Sequence, residues 1–435
     1  MTLTGRFVAL LTLGVVPIVL LGSTPGRAAA VLAAWVLALL GLGILDLTLA
    51  GSPRQIALSR ILPSRVRLGE SVTSDLYLTN TGSRRLNMMV RDAWQPSAGA
   101  GNNRTPLVVP PGERRLVSLQ LTPHRRGERR VDEVTVRSFG PLGLWARQVT
   151  LQAPGLIRVL PPFNARKHLP SRLTRLKELD GRTSLLVRGQ GTEFDSLREY
   201  VRGDDVRSID WRATARHNDV MVRTWRPERD RRVIILIDSG RTSAARIDDE
   251  PRLDTAFEAS LLLAALASKA GDHVDFVAYD RRVRGRVQGA QGAELLSRMV
   301  DTMALIEPEL IETDWSAVPG QVRALTSRRA LVVLITSIDA AGASSALLSV
   351  LPQLTRRNTV LVASVTDPTT LEATRPRGNR EEIYRAAAAE RALLDVARVS
   401  AAIRRQGAEV VTGSPADLPP ALADRYIALK AAGRL

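Results

Sequence analysis

Cysteine is absent from this chain of 435 residues, so disulfides, thiolate nucleophiles and cysteine metal sites are all excluded. Histidine occurs only at His124, His168, His217 and His273, with no two close in sequence, which argues against a histidine-rich metal centre. Lysine is scarce too. Lys167, Lys177, Lys269 and Lys430 are the whole set, and arginine supplies the rest of a formal charge of +17. Arginine together with abundant alanine reads as a compositional bias of the coding sequence, so the charge alone selects no partner. Aromatic residues make up 4% and are not interleaved with basic stretches, so the stacking platforms of a single-strand binder are lacking. Several catalytic signatures are missing as well. There is no Gly-x-x-x-x-Gly-Lys-Ser/Thr phosphate loop, no third glycine in register after Gly189-Gln-Gly191, no Gly-x-Ser-x-Gly elbow and no His-Glu-x-x-His pair.

What is present begins with two uncharged apolar runs, Phe7 to Thr24 and Ala28 to Leu45, separated by Pro25-Gly26-Arg27. Each is close to the shortest helix that crosses a hydrocarbon core of about 30 Å. Arg6 precedes the first run, and Arg54, Arg60, Arg65 and Arg67 follow the second. The positive-inside bias therefore predicts a transmembrane helical hairpin over 1–50 in the inner (cytoplasmic) membrane, with both flanks and the following domains in the cytoplasm. A second apolar run directly after Ala28-Ala29-Ala30 argues against a cleaved signal peptide.

From Gly51 the period changes to two. Val72, Leu76 and Leu78 share a face, as do Leu86, Met88 and Val90, then Val117, Leu119 and Leu121, then Val134 and Val136. Turn signals at Gly69, Thr81-Gly82 and Pro110-Pro111-Gly112 separate them, predicting a small antiparallel β-sandwich over 51–160 that serves in spacing or docking. A linker is expected over 161–225.

The remainder, 226–435, alternates strands and helices. Val233 to Ile237 is a continuous apolar run ending in Asp238; Val274, Phe276 and Ala278 end at Asp280; Leu331 to Thr336 and Val360 to Val365 follow, the latter ending near Asp367. Helical spacing connects them at Leu253-Phe257-Leu261-Ala264-Ser268, Ser344 to Arg357 and Glu381 to Gln406, with a short strand at Glu409 to Val411 and a last helix over Pro419 to Ala432. Continuous runs suit strands buried on both faces, and the alternation predicts an α/β fold with a doubly wound parallel sheet. Ligands of such sheets meet the carboxyl ends of the strands, where Asp238, Asp280, Asp367 and Thr336-Ser337-Ile338-Asp339 fall.

Phe194-Asp-Ser-Leu-Arg-Glu-Tyr200, Gly203-Asp-Asp-Val-Arg207 and Ile209-Asp-Trp-Arg-Ala-Thr-Ala-Arg216 closely resemble the signature of the domain of unknown function 58 family. Leu253-Asp-Thr-Ala256, Gly271-Asp272, Tyr279-Asp280 and Gly140-Pro-Leu-Gly-Leu144 also fit that family. The resemblance implies a bacterial membrane protein with a von Willebrand factor A-like domain, working beside a MoxR-type AAA+ ATPase in complex assembly or maturation. Such domains hold a divalent ion through Asp-x-Ser-x-Ser, a threonine and a later aspartate. Here Asp238-Ser-Gly-Arg-Thr242 supplies Asp238 and Thr242 but has Gly240 in the middle place, Thr313 is the candidate threonine, and Asp339 lies two residues beyond the expected position. A degenerate site is thus expected, with no cofactor; Mg2+ held there is the alternative.

Across Glu193 to Arg216 charges of both signs alternate around apolar anchors. One reading is a network clamping the linker onto the first sheet strand. The other is a docking surface built from Arg198, Tyr200, Asp204, Asp205, Arg207, Asp210, Trp211 and Arg216, since buried Trp and Arg dominate interface energetics. No nucleophile with an adjacent base appears in the segment. The expectation is a membrane-anchored scaffold that binds protein and is not an enzyme. The alternatives are a metal-dependent hydrolase using Asp238, Asp280 and Asp339, or a membrane-surface nucleic-acid binder; no nucleic acid is expected as partner.

Overall fold

A computed structural model describes residues 2–186, 193–217, 219–226, 231–248, 250–339 and 341–435. The chain divides into two compact units, Met1–Leu160 and Pro161–Leu435.

The first unit opens with β1 (Thr2–Leu3) and three apolar helices, α1 (Gly5–Leu13), α2 (Val15–Leu21) and α3 (Pro25–Leu49). The first apolar run does not form one continuous helix. Pro17 has no N–H to give to the carbonyl of Leu13, and the helix is interrupted at Gly14. Pro25 to Gln55 is one stretch long and apolar enough to cross a membrane, and Gly5 to Leu21 is a shorter one. Most of the large apolar side chains of these helices are exposed.

Eight strands follow: β2 (Ile56–Ile61), β3 (Arg65–Arg67), β4 (Val72–Asn80), β5 (Leu86–Asp92), β6 (Arg104–Val109), β7 (Arg114–Leu121), β8 (Gly127–Phe139) and β9 (Trp145–Leu160). One sheet runs β1-β9-β8-β5-β6, with β3 beside β9; the other runs β2-β4-β7. The period-two residues read from the sequence point inward from both sheets: Leu76 and Leu78 meet Leu86, Met88, Val90, Val134 and Val136 in one core. Arg60 of β2 reaches Asp92 of β5 through two hydrogen bonds of 2.8 and 2.9 Å, with Trp94 donating to the same carboxylate at 3.1 Å. Both charges of that pair are almost fully buried, so each depends on the other.

The second unit begins inside the expected linker, with helix α4 (Leu169–Leu186). The turn before it is held by Glu258, whose carboxylate accepts from the N–H groups of Asn164 (3.0 Å) and Ala165 (3.2 Å). The first part of 161–225 therefore joins the helical layer of its own unit. The signature segment is a small module. Strand β10 (Glu193–Glu199) pairs antiparallel with β11 (Met221–Arg226), and helix α5 (Trp211–His217) lies between them in sequence.

Beyond it run β12 (Arg232–Asp238), the two-residue strands β13 (Arg246–Ile247) and β14 (Glu250–Pro251), α6 (Arg252–Lys269), β15 (His273–Tyr279), β16 (Val283–Val287), α7 (Gly292–Ala304), α8 (Val318–Leu325), β17 (Ala330–Ile335), α9 (Ala341–Thr355), β18 (Thr359–Val365), α10 (Pro368–Glu372), α11 (Arg380–Arg405), β19 (Glu409–Gly413) and α12 (Leu418–Ala431). The large sheet has the order β16-β15-β12-β17-β18-β19. Neighbours from β15 to β19 are parallel, and β16 closes one edge antiparallel. β12, β17 and β18 are buried along nearly their whole length, as their unbroken apolar runs require. Ile234 and Leu236 of β12 pack with Val318, Val322, Leu347 and Leu351 of α8 and α9; α6 packs against β12 and β15 and is joined by α12. The strand order reverses between β12 and β17, which places their carboxyl ends side by side.

Candidate functional site

Asp238 ends β12 at that reversal, 3% exposed, and its carboxylate is ringed by hydroxyls. Thr336, just past β17, donates to Oδ2 at 2.7 Å, and Thr242 to the same oxygen at 3.3 Å. Thr313 donates to Oδ1, which also accepts the N–H of Gly240 at 2.8 Å. The structure thus brings three of the four predicted ligand residues together, Asp238, Thr242 and Thr313. It adds Thr336, whose position at a strand end was legible but whose direction was not.

Asp339, the fourth, is held elsewhere. Arg252, at the first position of α6, pairs with its carboxylate and donates to Ser337 Oγ at 2.7 Å. Nothing in the sequence pattern marked Arg252. It becomes a neighbour only when α6 and the loop after β17 meet.

The glycine in the middle of the Asp238 loop has a steric reason. A Cβ on Gly240 would lie 2.6 Å from Thr313 Oγ1 and 2.8 Å from the carbonyl of Ile311, so a serine there would displace Thr313. Backbone bonds tie the segment 309–314 across the strand ends. Arg241 N donates to Ile311 O at 2.8 Å, Glu309 N to Ser239 O at 2.9 Å, and Asp314 N to Asp280 O at 2.8 Å. Asp280 is fully buried and receives Ser239 Oγ (3.1 Å), the N–H groups of Arg281 and Arg282, and Arg284 Nε at 2.5 Å. Burial alone would raise its carboxyl; the bonds from Arg284, the two N–H groups and Ser239 outweigh that and hold it below the usual carboxylate range. Arg241, Arg281 and Arg282 are exposed on the rim, Arg241 paired with Glu312 at 2.5 Å.

Asp367, also expected at a strand end, caps α10 by accepting from Thr369 N at 2.9 Å. Among the described residues no cluster of three or more His, Asp or Glu side chains is placed to hold a metal ion. The donors around Asp238 are one carboxylate and three hydroxyls; the second acid is already matched by Arg252.

In the signature module the predicted acids build turns. Asp204 accepts from Arg198 (2.6 Å) and the N–H of Val201 (2.9 Å), and Asp205 accepts from the N–H of Arg207 at 3.0 Å. Asp210 takes the N–H groups of Arg212 and Ala213, both at 3.0 Å, and Arg223 Nε at 2.8 Å. The Ala213 N–H, with Arg223 beside it, holds the Asp210 carboxyl below its ordinary value. Both ion pairs, Arg198–Asp204 and Arg223–Asp210, have their members within the β10–β11 module. Of the eight predicted docking residues, Asp205, Arg207, Trp211 and Arg216 are exposed and Arg198, Tyr200, Asp204 and Asp210 are half-buried; Trp211 is 70% exposed, and Val201 and Val206 are 62% and 64% exposed. Phe194 and Asp195 lie outside the residues whose side chains are described.

Uncharacterized proteins of Mycobacterium tuberculosis (strain ATCC 25618 / H37Rv) and Mycobacterium bovis (strain ATCC BAA-935 / AF2122/97) are each 26% identical to this chain over 189 residues, 43% of this chain. The chain spans 59% of the length of those relatives. Among solved structures, proximal thread matrix protein 1 from the mussel byssus is 12% identical, with 46% of each chain covered and a TM-score of 0.27. A CARDB domain from Pyrococcus furiosus is 13% identical, covering 26% of this chain and 90% of its own, with a TM-score of 0.20. Neither structural likeness bears on the fold or the site. Residues 196–412, which hold the signature segment from Ser196 onward and every residue of the Asp238 edge, match the family described as Protein of unknown function DUF58.

Proposed function

We propose that this protein is a membrane-anchored scaffold whose Asp238 edge binds a protein partner, a MoxR-type AAA+ ATPase, during assembly or maturation of a complex. In this reading the second unit is a von Willebrand A-like, doubly wound domain, the strands of the first form a β-sandwich, and the two apolar runs anchor the chain in the inner membrane with its domains in the cytoplasm. The observation that carries it is the convergence of the loops after β12 and β17 with the segment 309–314 on the Asp238 carboxylate, the loop after β15 being tied to them through Asp280. Ligands of open parallel sheets meet the molecule at such a reversal. The edge works without a divalent ion, because Arg252 already neutralises the second acid and Gly240 supplies no ligand atom in the middle of the Asp238 loop. Its work is binding rather than catalysis, and the exposed Arg241, Arg281 and Arg282 give it a preference for acidic partner surfaces.

The test is cross-linking of the full chain in native membranes, followed by mass spectrometry, for the wild type and for Arg281→Glu/Arg282→Glu. The wild type should capture an AAA+ ATPase, and the double variant should capture about tenfold less, as loss of rim charge slows encounter. Capture unaffected by the charge reversal, or no AAA+ ATPase at all, overturns the proposal. Heat on titrating the protein with Mg2+ would overturn the metal-free reading.

A further inference from the structure

The end of the first unit where α1 begins and α3 finishes has an unusual charge distribution. Asp46 is the one acidic residue before Glu70, and it is fully buried. Its carboxylate accepts the N–H groups of Leu142 (2.8 Å), Leu144 (2.7 Å) and Trp145 (3.2 Å), so the Gly140-Pro-Leu-Gly-Leu144 loop folds over it. Gly140 packs so closely on Asp46 that a side chain there would collide with the carboxylate. Around this plugged negative charge stand arginines. Arg84 donates to the carbonyl of Thr48 at 2.7 Å and Arg147 to that of Leu47 at 3.1 Å, both in the last turn of α3, where helix carbonyls favour cations. Arg6, in the first turn of α1, reaches the carbonyl of Leu142 at 3.4 Å. The backbone carbonyl of Arg85 lies against Gly51, just past the end of α3, and Arg54 sits in the turn that follows; both residues are exposed. The same level carries exposed apolar side chains: Leu45 at 52%, Leu49 at 50% and Leu142 at 46%.

We propose that Arg6, Arg54, Arg84 and Arg85 form a collar that binds the phosphates of anionic phospholipid headgroups. The inference rests on the membrane-anchored reading above. Arg6 and Arg84 bond carbonyls where α1 begins and α3 ends, and Arg54 and Arg85 are exposed in the chain beside them, so arginines gather where apolar helix surface gives way to a polar domain, as at the boundary between hydrocarbon and headgroups. Guanidinium forks bind phosphate oxygens in pairs, and the negative charge that would repel them is removed from the surface by burial of Asp46. The backbone bonds to Asp46 fix the loop on α3, so the collar is held at one depth.

The experiment uses the full chain in detergent, titrated with phosphatidylglycerol, with phosphatidylcholine and with inorganic phosphate, read by thermal unfolding and by native mass spectrometry of retained lipid. The variant Arg54→Gln/Arg85→Gln is chosen because neither side chain has a hydrogen-bond or ion-pair partner among the described residues, so the fold is undisturbed. The wild type should retain phosphatidylglycerol in preference to phosphatidylcholine and be stabilised by it. The double variant should lose about thirtyfold of that preference, near fivefold for each arginine removed. Equal retention of the two lipids, an undiminished preference in the variant, or the same stabilisation by inorganic phosphate overturns the collar. Alkaline carbonate extraction separates the two levels: release of the chain from membranes sinks the anchored reading, whereas a chain that stays embedded without lipid preference sinks the collar alone.

Discussion

Asp46 and Asp238, one from each compact unit, are both buried, yet the groups that satisfy them differ in kind. Asp46 is held by three backbone N–H groups from one tight loop. Asp238 is held by one backbone N–H and the hydroxyls of Thr242, Thr313 and Thr336, which come from three different segments. A backbone N–H points where the chain points and has no alternative once buried. A hydroxyl rotates about its own bond and can exchange one acceptor for another. The first arrangement locks a helix to a loop. The second leaves a carboxylate whose partners can be redirected when something else arrives, as a recognition edge requires.

The sharpest way to break this comparison is to remove each carboxylate. Asp46→Ala strands the buried N–H of Leu144 and the partly buried N–H groups of Leu142 and Trp145, and with about 1–3 kcal/mol for the buried donor and less for the other two the loss should be roughly 2–4 kcal/mol. Thermal or denaturant unfolding of the detergent-solubilised chain measures it, and a loss below about 1 kcal/mol would show that the loop finds other acceptors. Asp238→Ala strands only the Gly240 N–H, since the three hydroxyls can turn away, so the cost should be nearer 1–2 kcal/mol while partner capture falls sharply. Equal destabilisation by the two changes would remove the distinction.

A smaller effect sharpens the electrostatics of the Asp238 edge. The Asp280 carboxyl is held low in the folded state, so its stabilisation is present above the ordinary carboxylate value and is lost as pH falls through the folded one. Asp280→Asn should therefore unfold with a shallower acid-side dependence than the wild type; matching pH profiles of the unfolding midpoint would contradict this. Least of all should come from Arg198→Gln in the signature module. Its pair with Asp204 is partly exposed, and such pairs contribute at most about 1 kcal/mol.

Legibility in the sequence followed the range of the interactions. Alternation from Val72 to Val136 marked strands because period two is a local property, and the inward faces found are those read. The unbroken runs at Val233 and Val360 marked central strands for the same reason. By contrast, β16, α7 and α8 carry no signal of their own in the sequence, and α4 lies inside the expected linker, because a helix that docks on its own unit and an antiparallel edge strand differ little from connecting segments in composition alone. The turns that Asp204, Asp205 and Asp210 build have no mark in the sequence either: an aspartate looks the same there whether or not it accepts the N–H two or three residues away.

By itself, then, the sequence determined where the central strands and the alternating strands of the first unit lie, which runs are strongly apolar, and which side chains end the central strands, since each of these is written in a period or a length. Only the tertiary structure decided that Arg252 takes Asp339, that Thr336 turns onto Asp238, and that the carboxylate at the end of α3 is wrapped by a loop nearly a hundred residues away. Those pairings join groups with no local signal, and they form because a buried charge must find donors wherever the chain brings them.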